Sequence, residues 1–255
     1  MSVLVIRRLQ MNVFQQRAGQ LMEDGLVRHF LQHYPRESRQ AGGPSQIRKL
    51  VQQGIQRARA YGFETQHQTG LFTALMIMLG SDFDDDPQLS WAAEQLADDS
   101  AGPSDRIQYL FQSAVDYLSA TAGEDSELIV RAMLRIRAWD PHTAPETTGR
   151  QWEDDVCALF QRLYPQKYEF QGDAATVEML RHSVETAARY GIGSQQGHSI
   201  YALHMFMLGS GFDTDLLHPW VARPLKDPAV ATEKERLDQL WNSAMQHLNE
   251  SLSKD

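Results

Sequence analysis

Two stretches of this chain, "MLGSDFDDDPQLSW" at 78–91 and "MLGSGFDTDLLHPW" at 207–220, are nearly the same. The match extends well beyond them. At a shift of 129 residues, Tyr61-Gly62 falls on Tyr190-Gly191, and Met78, Leu79, Gly80 and Ser81 fall on Met207, Leu208, Gly209 and Ser210. Phe83, Asp84, Asp86 and Trp91 likewise fall on Phe212, Asp213, Asp215 and Trp220. At a shift of 130, Glu23-Asp24 meets Glu153-Asp154, Tyr34-Pro35 meets Tyr164-Pro165, and Ile6-Arg7 meets Ile136-Arg137. Arg106, Leu110, Ser113, Ala114 and Leu118 then meet Arg236, Leu240, Ser243, Ala244 and Leu248. A pattern written twice is expected to fold twice. The chain therefore reads as two homologous units, residues 1–125 and 126–255. An open solenoid usually needs at least about three repeats, so a pseudo-twofold pair packed as one compact body is expected instead.

Each unit reads as helical. "AGQLMEDGLVRHFLQHY" spaces Leu21, Met22, Leu26, Phe30 and Leu31 on one helix face, and Pro35 stops the run. "PSQIRKLVQQGIQRARAYG" does the same with Ile47, Leu50, Val51, Ile55 and Ala58; Ser45 is a candidate N-cap and Gly62 the stop. "TGLFTALMIMLG" is apolar nearly all round, as suits a central buried helix ended by Gly80. Asp86 and Pro87 have the N-cap and first-position chemistry of a short helix that follows, and "RIQYLFQSAVDYL" supplies another amphipathic helix. Prolines fall at the ends of these segments or between them, and no alternating strand pattern competes. The fold class is all-α, a tandem duplication of a four-to-five-helix unit.

Much of the repeated motif follows from this architecture. Gly80 turns the backbone, Phe83 tucks under the turn, Asp84 or Asp86 caps the next helix, and Trp91 anchors that helix on the core. Catalytic signatures are missing. Asp82, Asp84 and Asp86 open like a calcium loop, but Pro87 and Ala93 stand where its glycine and glutamate belong. His29 and His33 share a helix face without the glutamate of a zincin, and His198 and His204 have no ligand partner at metal spacing. There is no G-x-S-x-G elbow, no P-loop and no G-x-G-x-x-G. The sequence reads as a non-enzyme, with no catalytic residue, no metal and no cofactor.

Composition narrows the class further. A formal net charge of −9 on 255 residues argues against nucleic-acid or anionic-membrane binding, which need a basic face. No apolar run approaches the length of a membrane span, and the short apolar run at residues 3–6 near the N-terminus is too short for a signal segment. The single cysteine, Cys157, lies on the apolar stripe of a helix; with no partner for a disulfide it fits a cytoplasmic location.

The two units differ in charge. Residues 60–105 carry nine acids (Glu64, Asp82, Asp84, Asp85, Asp86, Glu94, Asp98, Asp99 and Asp105) and no lysine or arginine. The matching window, 189–234, carries four acids against four bases. Like charges so concentrated repel one another, which a cationic partner would relieve. The expected binding surface comprises Asp82, Asp84, Asp85, Asp86, Glu64, Asp98 and Asp99, with Phe83 and Trp91 as aromatic anchors.

"RRLQM…F", "LVRHFLQHYP", "IQRARAYGFET", "LMIMLGSDFDDDPQLSWA" and "RIQYLFQSAVDYL" resemble a group of small helical bacterial proteins encoded beside type VI secretion toxins of the spike and PAAR-domain class. The resemblance covers the first unit and, more loosely, the second. It implies a cytoplasmic immunity protein that binds and neutralises a cognate secreted toxin by stoichiometric occlusion. A nuclease is the target that suits an acidic inhibitor best, since nucleic-acid sites are basic. The alternative is an adaptor or chaperone that loads an effector onto the secretion spike; a metal- or cofactor-dependent helical enzyme is a third, weaker reading.

Overall fold

The computed structural model describes residues 8–253, with side chains from residue 17 onward. The match of Ile6-Arg7 to Ile136-Arg137 lies outside the described residues. Within them all regular structure is helical. The first half contains α1 (Arg8–His33), α2 (Pro35–Gln40), α3 (Pro44–Ala60), α4 (Gln66–Leu79), a 3-10 turn (Pro87–Leu89), α5 (Ser90–Ala97) and α6 (Pro103–Ala122). The second contains α7 (Glu127–Ala138), a 3-10 turn (Pro141–Thr143), α8 (Gly149–Leu163), α9 (Pro165–Ala188), α10 (Gln195–Leu208), α11 (Pro219–Lys226) and α12 (Glu233–Leu252).

Local chemistry sets the helix ends. Prolines open α2, α3, α6, α9 and α11, where the missing N–H costs nothing. Thr65 starts α4 with a full capping box: its hydroxyl accepts from the Gln68 N–H while the Gln68 side chain accepts from the Thr65 N–H. Thr232 and Glu235 do the same for α12. The expected cap at Ser45 is not used; Pro44 already opens α3, and Gly43 with its positive φ of 93° precedes it. Helix α7 was not anticipated from the sequence pattern, although its apolar residues Ala132 and Ile136 are buried.

Two hydrophobic clusters result. One gathers α1, α3, α4, α5 and α6 around Phe30, Leu50, Phe72, Leu75 and Leu110. The other gathers α7 to α12 around Phe160, Met179, Tyr201, Phe206 and Leu240, with the Phe160 and Phe206 rings stacked at 4.4 Å. Helices α4 and α10 are the central elements, buried along most of their length as their apolar sequences predict. Cys157 is buried on α8. The halves interlock. Leu217 of the second half joins the first cluster, and Gln88 of the first half donates its side-chain amide to the Met205 carbonyl of α10 at 2.9 Å. The start of α9 lies across the 3-10 turn at Pro87–Leu89 and α6, so that Phe170 meets Tyr117 edge to face at 5.0 Å.

Candidate functional site

The two motif loops meet at the seam between the halves. Gly80 and Gly209, both at positive φ (108° and 99°), let the backbones approach. A Cβ on Gly80 would stand 3.1 Å from the Leu208 carbonyl oxygen, and one on Gly209 3.4 Å from that of Leu79. The aspartates then lock the loops together. One Asp86 oxygen accepts from the Gln88 N–H of its own turn at 2.9 Å, and the other from the Ser210 N–H of the opposite loop at 2.9 Å. Asp215 mirrors this, accepting from Leu217 N–H at 2.8 Å and from Ser81 N–H across the seam at 3.0 Å. Both carboxylates are buried. Burial pushes the Asp86 carboxyl up from its ordinary range, opposed by these hydrogen bonds and by the Lys167 charge. Lys167 is itself buried, donates to the Phe206 carbonyl, and has its pKa lowered by desolvation to about 8.

One acid absent from the second loop is excluded by sterics. Asp82 lies directly against Gly211, its own match at the 129-residue shift, and a Cβ on Gly211 would overlap the Asp82 carboxylate. Two side chains cannot occupy that space.

The remaining acids of the first loop are met from inside the molecule. Arg57, in the last turn of α3, pairs with Asp82, grips Asp84 with two nitrogens at 2.5 and 3.2 Å, and reaches Asp85 at 3.3 Å. Tyr61 adds a hydroxyl donated to Asp84 at 3.0 Å. Burial raises the Asp84 carboxyl against the pull of Arg57, and burial raises the Tyr61 phenol, helped by the Asp84 charge. The expected binding surface is corrected accordingly: Asp84, Asp86 and Phe83 are 3%, 3% and 1% exposed, Asp86 holding the seam while Asp84 and Phe83 are fixed within the first half, and none of the three is open to a partner. Asp82 and Trp91 are partly buried, Trp91 against the core and 6.1 Å from the Tyr117 ring.

Four of the predicted residues do reach solvent. Glu64, Asp85, Asp98 and Asp99 are exposed; Arg106 holds the Asp98-Asp99 turn against the Tyr61 loop, and Arg57 reaches Asp85. Arg106 donates to the Tyr61 carbonyl, to the Asp98 carbonyl at 3.4 Å and to the Asp99 side chain at 3.3 Å, while its guanidinium lies over the Phe63 ring at 5.3 Å. The loop carrying Tyr61 and Glu64 thus sits between Asp98-Asp99 and the Arg57 cluster. Asp98 caps the turn at Ser100, a bond that holds its pKa below the usual value. Tyr109 stands exposed on the neighbouring α6, one turn beyond the exposed Asp105.

Beside the paired loops lies an open cleft of about 530 Å³. Arg57, Tyr61, Asp82 and Asp85 form one wall; His182, Arg189, Asp213 and Thr214 form the other. Arg57 and the second wall went unrecognised in the sequence. The signal was present, because Arg57 matches Thr186 at the 129-residue shift while the aspartate it grips is retained as Asp213. Among the described residues no group of three or more histidines, cysteines or carboxylates is placed to hold a metal, and no helix is long and apolar enough to cross a membrane. No protein-family profile matches the chain, and no curated protein or solved structure is detectably similar to it.

Proposed function

We propose that this protein is a non-catalytic inhibitor of the immunity type, which captures a basic secreted toxin at the acidic end of its first half. The observation that carries the reading is the gathering of exposed Glu64, Asp85, Asp98 and Asp99 around one loop, where Arg57 and Arg106 are consumed in bracing the scaffold. Asp85 and Asp99, with side chains 79% and 99% exposed, keep most of their charge open to a partner. Charges so placed speed association with a cationic surface, as a protein that must intercept a toxin requires. Exposed Tyr109 supplies an aromatic contact beside them. A nuclease, with its basic substrate groove, is the target of matching charge.

We also infer that the frame arose by tandem duplication of one helical unit, packed about a pseudo-twofold axis through the paired loops. The reciprocal Asp86–Ser210 and Asp215–Ser81 bonds and the facing pair of glycines support this.

The test is binding and protection with the product of the neighbouring gene. A Glu64→Lys, Asp85→Lys, Asp99→Lys triple variant leaves the seam intact. It should bind about tenfold or more weakly, mainly through slower association, and lose protection of cells that make the bare toxin domain. Parent and triple variant binding alike at low and high salt would rule this surface out.

A further inference from the structure

We propose that the cleft between the halves is an arginine-recognition site, built to seat a guanidinium from a partner protein against Asp213. The two halves treat the same Asp–Tyr pair differently. In the first half, Asp84 is buried and satisfied by three donors: two nitrogens of Arg57 and the Tyr61 hydroxyl. In the second half the aspartate and the tyrosine are kept. Asp213 is equally buried, at 4% exposure, and accepts from the Tyr190 hydroxyl at 2.6 Å. The arginine is gone. Thr186 stands in its place and turns its hydroxyl back to the His182 carbonyl at 2.5 Å. Asp213 consequently has no cationic partner within ion-pair distance among the described residues.

A buried carboxylate without a cation is costly to keep, and such groups are normally paired. The buried Tyr201 hydroxyl lies behind Asp213; burial raises its pKa, and the Asp213 charge raises it further. Asp213 and Asp84 border the same open cleft of about 530 Å³, which is ample for an arginine side chain, but only Asp84 is already met there by a guanidinium. On the opposite wall three aspartates, Asp82, Asp84 and Asp85, outnumber the single Arg57 that pairs with them, and Thr214 adds a hydroxyl at the rim. Arg189 lines the cleft too, yet it makes no ion pair with a carboxylate among the described residues. The first half shows which group completes an Asp–Tyr pair of this kind: a planar guanidinium, which meets a carboxylate with two parallel donors where an ammonium offers a point charge. The occupant is therefore an arginine presented by the basic partner. This deepens the functional reading above and rests on it for the identity of that partner.

The experiment uses the full chain and N-acetyl-arginine amide as the probe, followed by NMR titration. Binding with a dissociation constant on the order of 1–10 mM is expected, as befits one isolated side chain. The lysine and citrulline amides should bind at least about tenfold more weakly, because they lack the fork or the charge. Asp213→Asn should abolish the interaction. Thr186→Arg should also abolish it by supplying the guanidinium internally, as Arg57 does for Asp84. Should Asp213→Asn fail to fold, the Thr186→Arg variant and the arginine-to-lysine selectivity of the unaltered chain still decide the matter. Equal binding of the three amides, absence of arginine binding, or arginine binding indifferent to these substitutions would overturn the site. If the arginine titration fails while the triple variant at Glu64, Asp85 and Asp99 still loses the toxin, the arginine site falls alone and the acidic surface stands.

Discussion

The Asp86 carboxylate accepts a hydrogen bond at 2.9 Å from the backbone N–H of Ser210, 124 residues further along the chain. Asp215 returns the bond to Ser81 at 3.0 Å. Each carboxylate thus satisfies its own turn with one oxygen and the opposite loop with the other, so each loop is closed only when its counterpart is present. Replacing either residue with alanine leaves buried N–H groups unpaired in both halves, at a cost of about 1–3 kcal/mol. The two losses fall on one seam and should not be independent. Urea unfolding of Asp86→Ala, Asp215→Ala and the double variant should show a coupling of at least about 0.5 kcal/mol. Strict additivity would mean that the two loops hold the halves together separately.

Asp82 and Gly211 make a sharper case, because they are matching positions that touch. Gly211 is not at positive φ, so alanine there is opposed by crowding alone, and the crowding comes from the Asp82 side chain fixed by Arg57. Gly211→Ala should therefore cost about 1–3 kcal/mol. Adding Asp82→Gly empties the contested space, and the alanine should then be nearly neutral in that background. The check is the unfolding midpoint of the four proteins in the cycle. An alanine that is equally harmful with and without Asp82 would show that the backbone, not the side chain, rejects it.

These contacts mark where the sequence was legible and where it was not. Helical periodicity placed α3, α4 and α6, since the apolar stripe of each is a local property of the chain. Asp86 before Pro87 signalled its cap for the same reason. The charge run was misleading. Nine acids without a base between residues 60 and 105 suggested an open acidic surface, yet Arg57 and Arg106, standing just outside that window, fold back onto it. Whether a carboxylate faces water or an arginine depends on tertiary placement, which local composition does not encode. The sequence match did hold a usable hint: an aspartate retained twice beside an arginine kept once. That pattern separates Asp84, which is met by a guanidinium, from Asp213, which has a tyrosine hydroxyl and no cationic partner among the described residues.

His204 offers a test of the second core by pH alone. It sits inside α10 at 5% exposure, with its Nδ1 bonded to the Ile200 carbonyl at 2.8 Å and its ring between Phe212 and Trp241. No carboxylate pairs with it among the described residues, so burial lowers its pKa from 6.5 to about 4. Between about pH 6.5 and pH 4 the unfolded chain takes up a proton that the folded chain refuses, so stability is lost as pH falls through that window, by about 2–3 kcal/mol. His218 is shifted in the same direction by burial and adds to the slope. The matching residue in the first half is Leu75, fully buried on α4, which marks leucine as a side chain this core position tolerates. His204→Leu should therefore fold, should equal or exceed the parent in stability at pH 7, and should lose markedly less stability on acidification to pH 4.5. Parallel stability curves for parent and variant over that range would show that the imidazole is not held neutral in the core, and that acid sensitivity arises elsewhere.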